Sequence, residues 1–289
     1  MPELPEVETV RQGLNQLTLN QKITGGDVLL NRTIAYPFSV EEFLSGLKGC
    51  AIARWHRRGK YLLAELLRLA KPMAGFSPDQ PAGWLGVHLR MTGQLLWLDR
   101  EQPLHKHTRV RLFFEEQELR FVDQRTFGQM WWVPPKETIE SVITGLGRLG
   151  PDPFSKDFSD EYLVRKLRNR RSPIKNALLD QSVVAGIGNI YADEALFKSG
   201  VRPETLCTDL AERQISRLRT AIIEVLEASI AAGGTTFSNF LNVQGVNGNY
   251  GGVAWVYNRA GEPCRICETP IERLRLAGRS AHFCPQCQK

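Results

Sequence analysis

Four of the chain's six cysteines form two Cys-x-x-Cys pairs near its end, and this pattern limits the possible fold more than any other feature. The first pair is Cys264 and Cys267. After sixteen residues the second pair follows, Cys284 and Cys287. Two pairs at this separation supply the four thiolates of a tetrahedral site, and the chain between them is long enough for a hairpin. Because four ligands leave no open coordination position, the pattern predicts one structural Zn²⁺ per chain.

The composition is that of an ordinary globular chain. Its 289 residues are enough for about two domains. Hydrophobic residues make up 42%, but no apolar run is long enough and free enough of charge to cross a bilayer. The first ten residues are acidic and lack the features of a secretory signal. We therefore expect a soluble cytoplasmic protein with no membrane partner, in which Cys50 and Cys207 are small buried apolar residues.

Residues 1–133 are predicted to form a helix followed by a sheet-rich domain. Apolar residues recur at spacings of three and four from Leu4 to Leu17, and Pro5 suits the first turn of a helix. Short runs rich in Val, Ile, Leu, Phe and Trp follow, and a β-sandwich or barrel is their natural packing. The stretch 71–82 is predicted to be a surface loop. The predicted strands are residues 22–30, 50–56, 60–67, 84–89, 94–98, 108–114, 119–123 and 127–133.

The rest of the chain has a helical pattern. Prolines and glycines concentrated in residues 134–155 predict a hinge. A helical domain is predicted over 156–243, and residues 244–289 hold a Gly- and Asn-rich stretch and the cysteine pairs. The fold class is therefore predicted to be α+β with several domains. The predicted helices are residues 162–167, 174–180, 190–198 and 210–231.

Basic side chains are concentrated in the predicted cysteine hairpin and in a run between residues 165 and 175. The net charge of +6 is compatible with a polyanionic partner. Phosphate contacts and a solvated face explain each run equally well, whereas both runs together favour DNA. The basic residues are Arg273, Arg275 and Arg279 beside His282, and Arg165, Lys166, Arg168, Arg170, Arg171 and Lys175.

A turn of small residues, 183–188, separates two predicted helices. It permits close backbone approach, and Asn189 is placed to cap the helix that follows. The free amides of an exposed helix N-terminus bind phosphate. The residues alone fit a plain helix-turn-helix connection better than a phosphate site.

The N-terminus could supply an unusual nucleophile. Removal of Met1 would leave Pro2 with a free secondary amine, which forms an iminium with an aldehyde-level carbon. The positive end of the following helix lowers the pKa of such an amine, and Glu3 is placed to exchange protons beside it. Taken alone, these residues fit a plain solvent-exposed terminus better than a nucleophile.

Six motifs together closely resemble formamidopyrimidine-DNA glycosylase. They are PELPEVETV at 2–10, RRGKYLL at 57–63, HLRMTG at 88–93, VVAGIGNIY at 183–191, GEPC at 261–264 and GRSAHFCPQCQK at 278–289. They extend from residue 2 to the last residue, and their order is specific. The resemblance implies an N-terminal helix with a β-sandwich, a helix-two-turns-helix domain and a zinc ribbon.

The resemblance also implies a reaction. The family removes oxidised purines, 8-oxoguanine and formamidopyrimidines, from duplex DNA and cleaves the abasic strand by β,δ-elimination. By its motifs, Pro2 is the nucleophile that forms a Schiff base at C1′ and Glu3 is the proton donor. Lys60 assists lesion recognition and β-elimination, and Arg279 holds phosphate and takes part in the final elimination.

The remaining residues that the resemblance assigns contact DNA. The expected partner is damaged double-stranded DNA, bound by a monomer. Extruding a base leaves a gap that needs a filler. Met91, Arg125 and Phe127 match the family's void-filling residues, with Arg125 bonding the orphaned base. The expected phosphate contacts are His105, Arg171, Lys175 and Asn189.

Three stretches depart from the family or are weakly determined, and two alternatives stay open. Gln124 and Thr126 replace a usual proline and a usual basic residue, the 71–82 loop is longer, and 244–252 is weakly determined. One alternative is an endonuclease VIII-type glycosylase for oxidised pyrimidines, which Leu4 and the complete void-filling set disfavour. The other is a non-catalytic zinc-ribbon DNA-binding protein. Borohydride trapping on abasic DNA separates an enzyme from a binder.

Overall fold

The computed structural model describes residues 1–68, 80–235, 242–246, 248 and 250–289. The chain forms two compact units. The first comprises Met1–Pro2, Glu6–Gly147 and Gly233–Gly248, and the second comprises Glu3–Pro5, Arg148–Ala232 and Asn249–Lys289. The predicted hinge, 134–155, is thus divided between the units after Gly147. Most of the predicted 71–82 loop lies outside the described residues.

In its described residues, the first unit contains two sheets and three α-helices. One sheet has the strand order β1-β7-β8-β6, and the other has the order β2-β9-β5-β4-β3. The strands are β1 Gly25–Val28, β2 Ile34–Tyr36, β3 Cys50–Arg58, β4 Tyr61–Arg68, β5 Gln80–His88, β6 Gly93–Asp99, β7 Thr108–Phe113, β8 Gln117–Asp123 and β9 Gln129–Val133. The helices are α1 Leu4–Leu17, α2 Val40–Leu47 and α3 Ile139–Val142.

Alternating side chains of both sheets form one core with α1, which is the predicted sandwich. On β7, buried residues alternate with partly exposed ones, as the two-residue period of a half-buried strand requires. Val110 of this strand and Leu62 of β4 belong to the same buried cluster, together with Val7 of α1. Val243 joins this cluster, and its carbonyl accepts a hydrogen bond from Trp97 N at 2.9 Å. This packing explains why residues 233–248 group with the first unit.

Three of the described elements escaped the sequence prediction, β2, α2 and α3, the last within the predicted hinge. Helix α2 is short, but it has a recognisable start, since the Ser39 hydroxyl accepts from Glu42 N at 3.2 Å in the S-x-x-E pattern of a capping box. The predicted strand 127–133 begins only at Gln129, because Phe127 is turned outward with 53% of its surface exposed.

The part of the second unit that the structure describes contains four α-helices and a hairpin. The long helix α7 buries one side, including Leu218, Ile222 and Val225, as its apolar spacing predicts. The hairpin strands meet at Ala277 and Gly278, both with positive φ, the backbone of a two-residue type I′ turn. The elements are α4 Asp160–Leu167, α5 Ile174–Leu179, α6 Asn189–Ser199, α7 Glu212–Ala231, β10 Glu272–Leu276 and β11 Arg279–Phe283.

Among the described residues, no helix is both long and apolar enough to cross a membrane.

Candidate active site and zinc ribbon

The four paired cysteines meet at the base of the β10-β11 hairpin. Their sulfur atoms all lie within 4.8 Å of one another, with 3.4 Å between Cys267 and Cys284 and 3.9 Å between Cys264 and Cys287. A tetrahedral zinc with bonds of about 2.3 Å would separate its sulfur ligands by about 3.8 Å. The four thiols therefore fit one structural Zn²⁺, as the sequence predicted.

Backbone amides support this sulfur cluster. Ile266 N approaches the Cys264 sulfur at 3.5 Å, and Cys287 N approaches the Cys284 sulfur at 3.4 Å. Such N–H···S contacts favour thiolates and fix their direction. Cys50 and Cys207 are buried and do not belong to this cluster, which confirms their prediction as apolar residues.

Glu3 occupies the N-terminus of α6. Its carboxylate accepts hydrogen bonds from Gly188 N at 2.8 Å, Ile190 N at 3.1 Å and Tyr191 N at 3.4 Å, and only 3% of the residue is exposed. These amides are the unpaired donors of a helix start, where the helix dipole favours a negative charge. The sequence analysis considered a phosphate at this helix N-terminus. The amides there bind the carboxylate of Glu3 instead.

Asn189 is the first residue of α6 rather than its cap. Gly188 occupies the cap position and has no side chain to cap with, so the Glu3 carboxylate accepts from the amides at the helix start instead. An added Cβ on Gly188 would lie 2.3 Å from the Glu3 carboxyl carbon. The Asn189 side chain instead hydrogen-bonds the Tyr257 hydroxyl, and burial raises the pKa of Tyr257. The predicted cap at Asn189 was wrong, while its phosphate contact stays a prediction.

Lys175 is fully buried, although its position in a run of basic residues suggested an exposed side chain. Its ammonium donates to Asp193 Oδ1 at 2.5 Å and to the Ser280 carbonyl. The other oxygen of Asp193 accepts from His282 N at 2.9 Å and lies 3.1 Å from Nδ1 of the same histidine. Burial lowers the pKa of Lys175, and the charge of Asp193 opposes this. This pair ties α5 and α6 to β11.

The other predicted residues of the second unit are exposed. Arg279 begins β11 opposite Leu276, so it stands at the tip of the ribbon, one residue before the carbonyl that Lys175 holds. Arg171 is exposed between α4 and α5. Both guanidinium groups are accessible to a polyanion.

Pro2 and Lys60 lie in the first unit. Pro2 is buried just before α1. Lys60 and Gly59 form the turn between β3 and β4, so Lys60 precedes the strand in which the sequence placed it. The positive φ of Gly59 suits the first central position of such a hairpin. Lys60 is only 7% exposed, so its side chain is buried although the residue lies in a turn.

His88 is a buried neighbour of Lys60 that sequence reasoning did not single out, although it begins the HLRMTG motif. Burial, the positive charge of Arg90 and that of Lys60 lower its pKa to about 3. Its Nδ1 accepts from Arg90 N at 3.0 Å, as a neutral ring requires. His88 therefore stays uncharged beside the lysine.

The three predicted void-filling residues lie on two turns of the sandwich. Met91 is half-buried between β5 and β6, while Arg125 and Phe127 are exposed between β8 and β9. The Arg125 guanidinium lies 5.1 Å from the centre of the Phe127 ring. His105 is exposed before β7, its ring 5.4 Å from that of His107.

The β-sandwich with its helix and the helical unit with its four-cysteine site define a multidomain zinc-ribbon protein, and its exposed arginines suit a polyanionic partner. The chain matches the formamidopyrimidine-DNA glycosylase N-terminal domain over residues 1–130 and the H2TH domain of that protein over 149–240. Residues 261–289 match a zinc finger found in FPG and IleRS. The chain therefore belongs to the formamidopyrimidine-DNA glycosylase family.

Curated relatives and solved structures agree with this assignment. The formamidopyrimidine-DNA glycosylase of Nostoc punctiforme is 75% identical over 289 residues, covering 100% of this chain and 96% of the relative. That of Trichodesmium erythraeum is 66% identical and covers 100% of both chains. Lactococcus lactis Fpg in complex with DNA containing an abasic site is 33% identical with a TM-score of 0.87, covering 99% of each chain. The enzyme class is that of the family, a DNA glycosylase of base-excision repair with abasic-site lyase activity, and the ribbon holds one structural zinc.

Proposed function

We propose that this enzyme excises oxidised purines, 8-oxoguanine and formamidopyrimidines, from double-stranded DNA and then cleaves the strand through a Schiff base on Pro2. The observation that carries the proposal is the anchoring of Glu3 by three amides of α6. A carboxyl group held this firmly next to residue 2 fixes a proton-exchanging group beside the amine, which an unanchored chain end would not do. Membership of the family supports the substrate class.

In the proposed reaction, the amine of Pro2 becomes free when Met1 is removed. Its nitrogen bonds to C1′ of the damaged nucleotide as the bond from C1′ to the base breaks. Glu3 donates a proton during base loss and sugar-ring opening, and the amine loses its own N–H proton, which leaves a cationic iminium between the proline nitrogen and C1′. Loss of a C2′ proton then expels the 3′ phosphate, and a second elimination expels the 5′ phosphate.

Two further side chains assist these steps in the proposal. Lys60 contributes to lesion recognition and to the first elimination. Its burial beside the neutral ring of His88 supports this role, because the side chain is held within the unit rather than extended into solvent. Arg279 holds phosphate for the second elimination, and its exposure at the ribbon tip supports that role.

The proposed partner is damaged duplex DNA, bound by a monomer. Met91, Arg125 and Phe127 fill the gap left by the extruded base, a role that the exposure of Arg125 and Phe127 and the partial exposure of Met91 support. The crystallised Lactococcus lactis protein was bound to DNA containing FAPY-dG, which supports this substrate class. The proposed phosphate contacts are His105, Arg171, Asn189 and Lys175, of which Lys175 is buried.

Borohydride trapping tests the proposal. The protein is mixed with an abasic-site duplex, the imine is reduced, and the adduct is mapped by peptide mass spectrometry. We expect attachment at Pro2. Retaining Met1 through an N-terminal extension should abolish base release and strand cleavage, because the nucleophile is then an amide. An adduct at Lys60, or full activity of the extended protein, would contradict the Pro2 assignment.

A panel of defined lesions tests the substrate class. Duplexes with 8-oxoguanine, a formamidopyrimidine or an oxidised pyrimidine are compared under single-turnover conditions. We expect the purine lesions to be excised faster. Preference for the oxidised pyrimidine would favour the endonuclease VIII-type alternative, and DNA binding without any adduct would favour the non-catalytic one.

A further inference from the structure

Two loops of the first unit carry the proposed void-filling residues, and a single buried carboxylate joins them. We call residues 89–92, between β5 and β6, the Met91 loop, and residues 124–128, between β8 and β9, the wedge loop. Asp123 is the last residue of β8 and is 1% exposed. Its Oδ1 accepts from the Thr92 hydroxyl, and its Oδ2 accepts from Gly128 N at 2.7 Å.

The Thr92 hydroxyl completes a chain of hydrogen bonds between the loops. While it donates to Asp123, it accepts from Arg125 N at 2.9 Å. The wedge loop is therefore held at both ends, at Gly128 by the carboxylate and at Arg125 by the threonine. Because hydrogen bonds to a buried charge are among the strong ones, these contacts fix the backbone next to all three void-filling residues.

Packing against Phe121 fixes the same two loops from below. A Cβ added to Gly93, which follows the Met91 loop, would lie 2.9 Å from the tip of the Phe121 ring. A Cβ added to Gly128 would lie 2.4 Å from the same atom. Glycine is needed at both positions because the two loops close over one ring. The loops thus share one support as well as one carboxylate.

We propose that Asp123 and Thr92 are positioning residues for base extrusion, which hold the Met91 loop and the wedge loop together as one rigid wedge. The inference rests on the proposed function, in which Met91, Arg125 and Phe127 enter the duplex. Unstacking a base costs a few kcal/mol. Side chains that enter the gap can offset this cost only if their backbone is held rigidly in place.

This arrangement also explains how the chain accommodates its unusual wedge loop. The hydrogen bonds use the backbone of Arg125 and Gly128, so they do not depend on the side chains at 124 and 126. Thr126 has a positive φ of 59°, which is costly for a β-branched residue and persists only where the surroundings impose it.

Three matched variants test the proposal. Thr92→Val removes the bridging hydroxyl with little change in size. Thr108→Val is the control, because Thr108 is a buried threonine of the same sandwich whose hydroxyl has no partner among the described residues. Thr92→Ser restores the hydroxyl. Thermal unfolding of each variant verifies that it is folded.

Excision from a lesion duplex is compared with cleavage at a preformed abasic site in single-stranded DNA. We expect Thr92→Val to be about tenfold slower on the duplex and changed by less than about twofold on the single strand, where no pair is opened. Thr108→Val should match the wild type on both substrates, and Thr92→Ser should recover most of the duplex rate. Equal losses of Thr92→Val on both substrates, or a duplex rate equal to that of Thr108→Val, would overturn the proposal.

Pair opening is also measured directly and without catalysis. A 2-aminopurine opposite the lesion brightens when it becomes unstacked. We expect the wild type and Thr108→Val to give the full fluorescence change on binding, and Thr92→Val to give a smaller or slower one. A wild type that opens the pair but releases no base would contradict the proposed function alone. Identical fluorescence changes in all variants would contradict the positioning role alone.

Discussion

Replacement of Glu3 by glutamine should separate an anchoring role from a proton-donating role. The carboxylate satisfies three backbone donors with two oxygens, Oε2 for Gly188 and Tyr191 and Oε1 for Ile190. Glutamine offers one oxygen, and its NH₂ group must face at least one of these donors. A buried donor left unsatisfied costs about 1–3 kcal/mol, and loss of the charge at the helix start costs up to about 1 kcal/mol more.

The expected destabilisation by Glu3→Gln is therefore about 1–4 kcal/mol. For a chain of this size the apparent Tm falls by about 2–4 °C per kcal/mol, so a decrease between about 2 and about 16 °C is expected. Differential scanning calorimetry measures this shift. Glu116→Gln, at an exposed turn residue, is the control for the loss of one negative charge. An unchanged Tm for Glu3→Gln would refute the anchoring argument.

Activity assays below the lower Tm then test the proton donor. Excision of a lesion needs a proton for the departing base, whereas an abasic sugar opens its ring with less help. We expect Glu3→Gln to reduce excision more than cleavage at a preformed abasic site. Equal reductions in both steps, accompanied by the Tm shift, would mean that Glu3 acts only by holding the N-terminus.

Three other predictions follow from the buried charges and the ribbon. Cys267→Ser should lose zinc, measured by elemental analysis, and with it DNA binding, because zinc contributes about 10 kcal/mol or more to the folding of such modules; full zinc occupancy would contradict the four-cysteine site. The pKa of His88 is about 3 in the folded protein against an ordinary value of 6.5. Between these two pH values the histidine is protonated in the unfolded chain but not in the folded chain. The free energy of unfolding should therefore fall by up to about 4 kcal/mol as the pH decreases from 6.5 towards 3. In urea unfolding, His88→Gln should show a smaller decrease over the same pH range. If the variant loses as much stability as the wild type, His88 is not the cause of the pH dependence. Lys175→Met should destabilise the protein by about 3 kcal/mol, because it leaves the Asp193 carboxylate buried without its cation, and Lys175→Met with Asp193→Asn should recover part of this loss; a single variant that unfolds like the wild type would refute the buried-pair argument.

Local patterns predicted much of this fold, because the signals that specify it are local. The apolar spacing of α1 and α7, the alternation in the strands and the cysteine pairs each lie within one short segment. The short helix α2 was not predicted, although the Ser39 and Glu42 pair of a capping box marks its start in the sequence. The predicted start of β9 was wrong because Phe127, an apolar residue that suits a strand, is exposed in the preceding loop.

Long-range pairings were beyond sequence reasoning. Nothing local indicates that Glu3 caps a helix which begins at Asn189, because the two are far apart in the chain and the cap position itself is a glycine. Likewise, Lys175 reads as one of six basic residues in a run, and only the placement of Asp193 on α6 reveals that it is buried. Such pairs depend on which segments the fold brings together.

Helix α6 contacts several segments that carry the proposed functional residues. Its core-facing sequence includes two adjacent acids, and a third acid, Glu3, binds its N-terminus. Asp193 holds the backbone of β11, and Glu194 accepts from three consecutive amides that end at Tyr257 N, 2.9 Å away. Burial raises the pKa of Glu194, and these amides oppose the shift.

Each of these carboxylates fixes the chain next to a proposed functional group. Glu3 adjoins Pro2, the strand that Asp193 holds begins with Arg279, and Glu194 holds the backbone of Tyr257, whose hydroxyl meets Asn189. A buried charge costs free energy unless it is fully hydrogen-bonded, so each carboxylate tolerates little displacement of the segment that satisfies it. The positions of three segments that are separate in the sequence thereby depend on one helix. We therefore expect a substitution in α6 to affect several steps of the proposed reaction together.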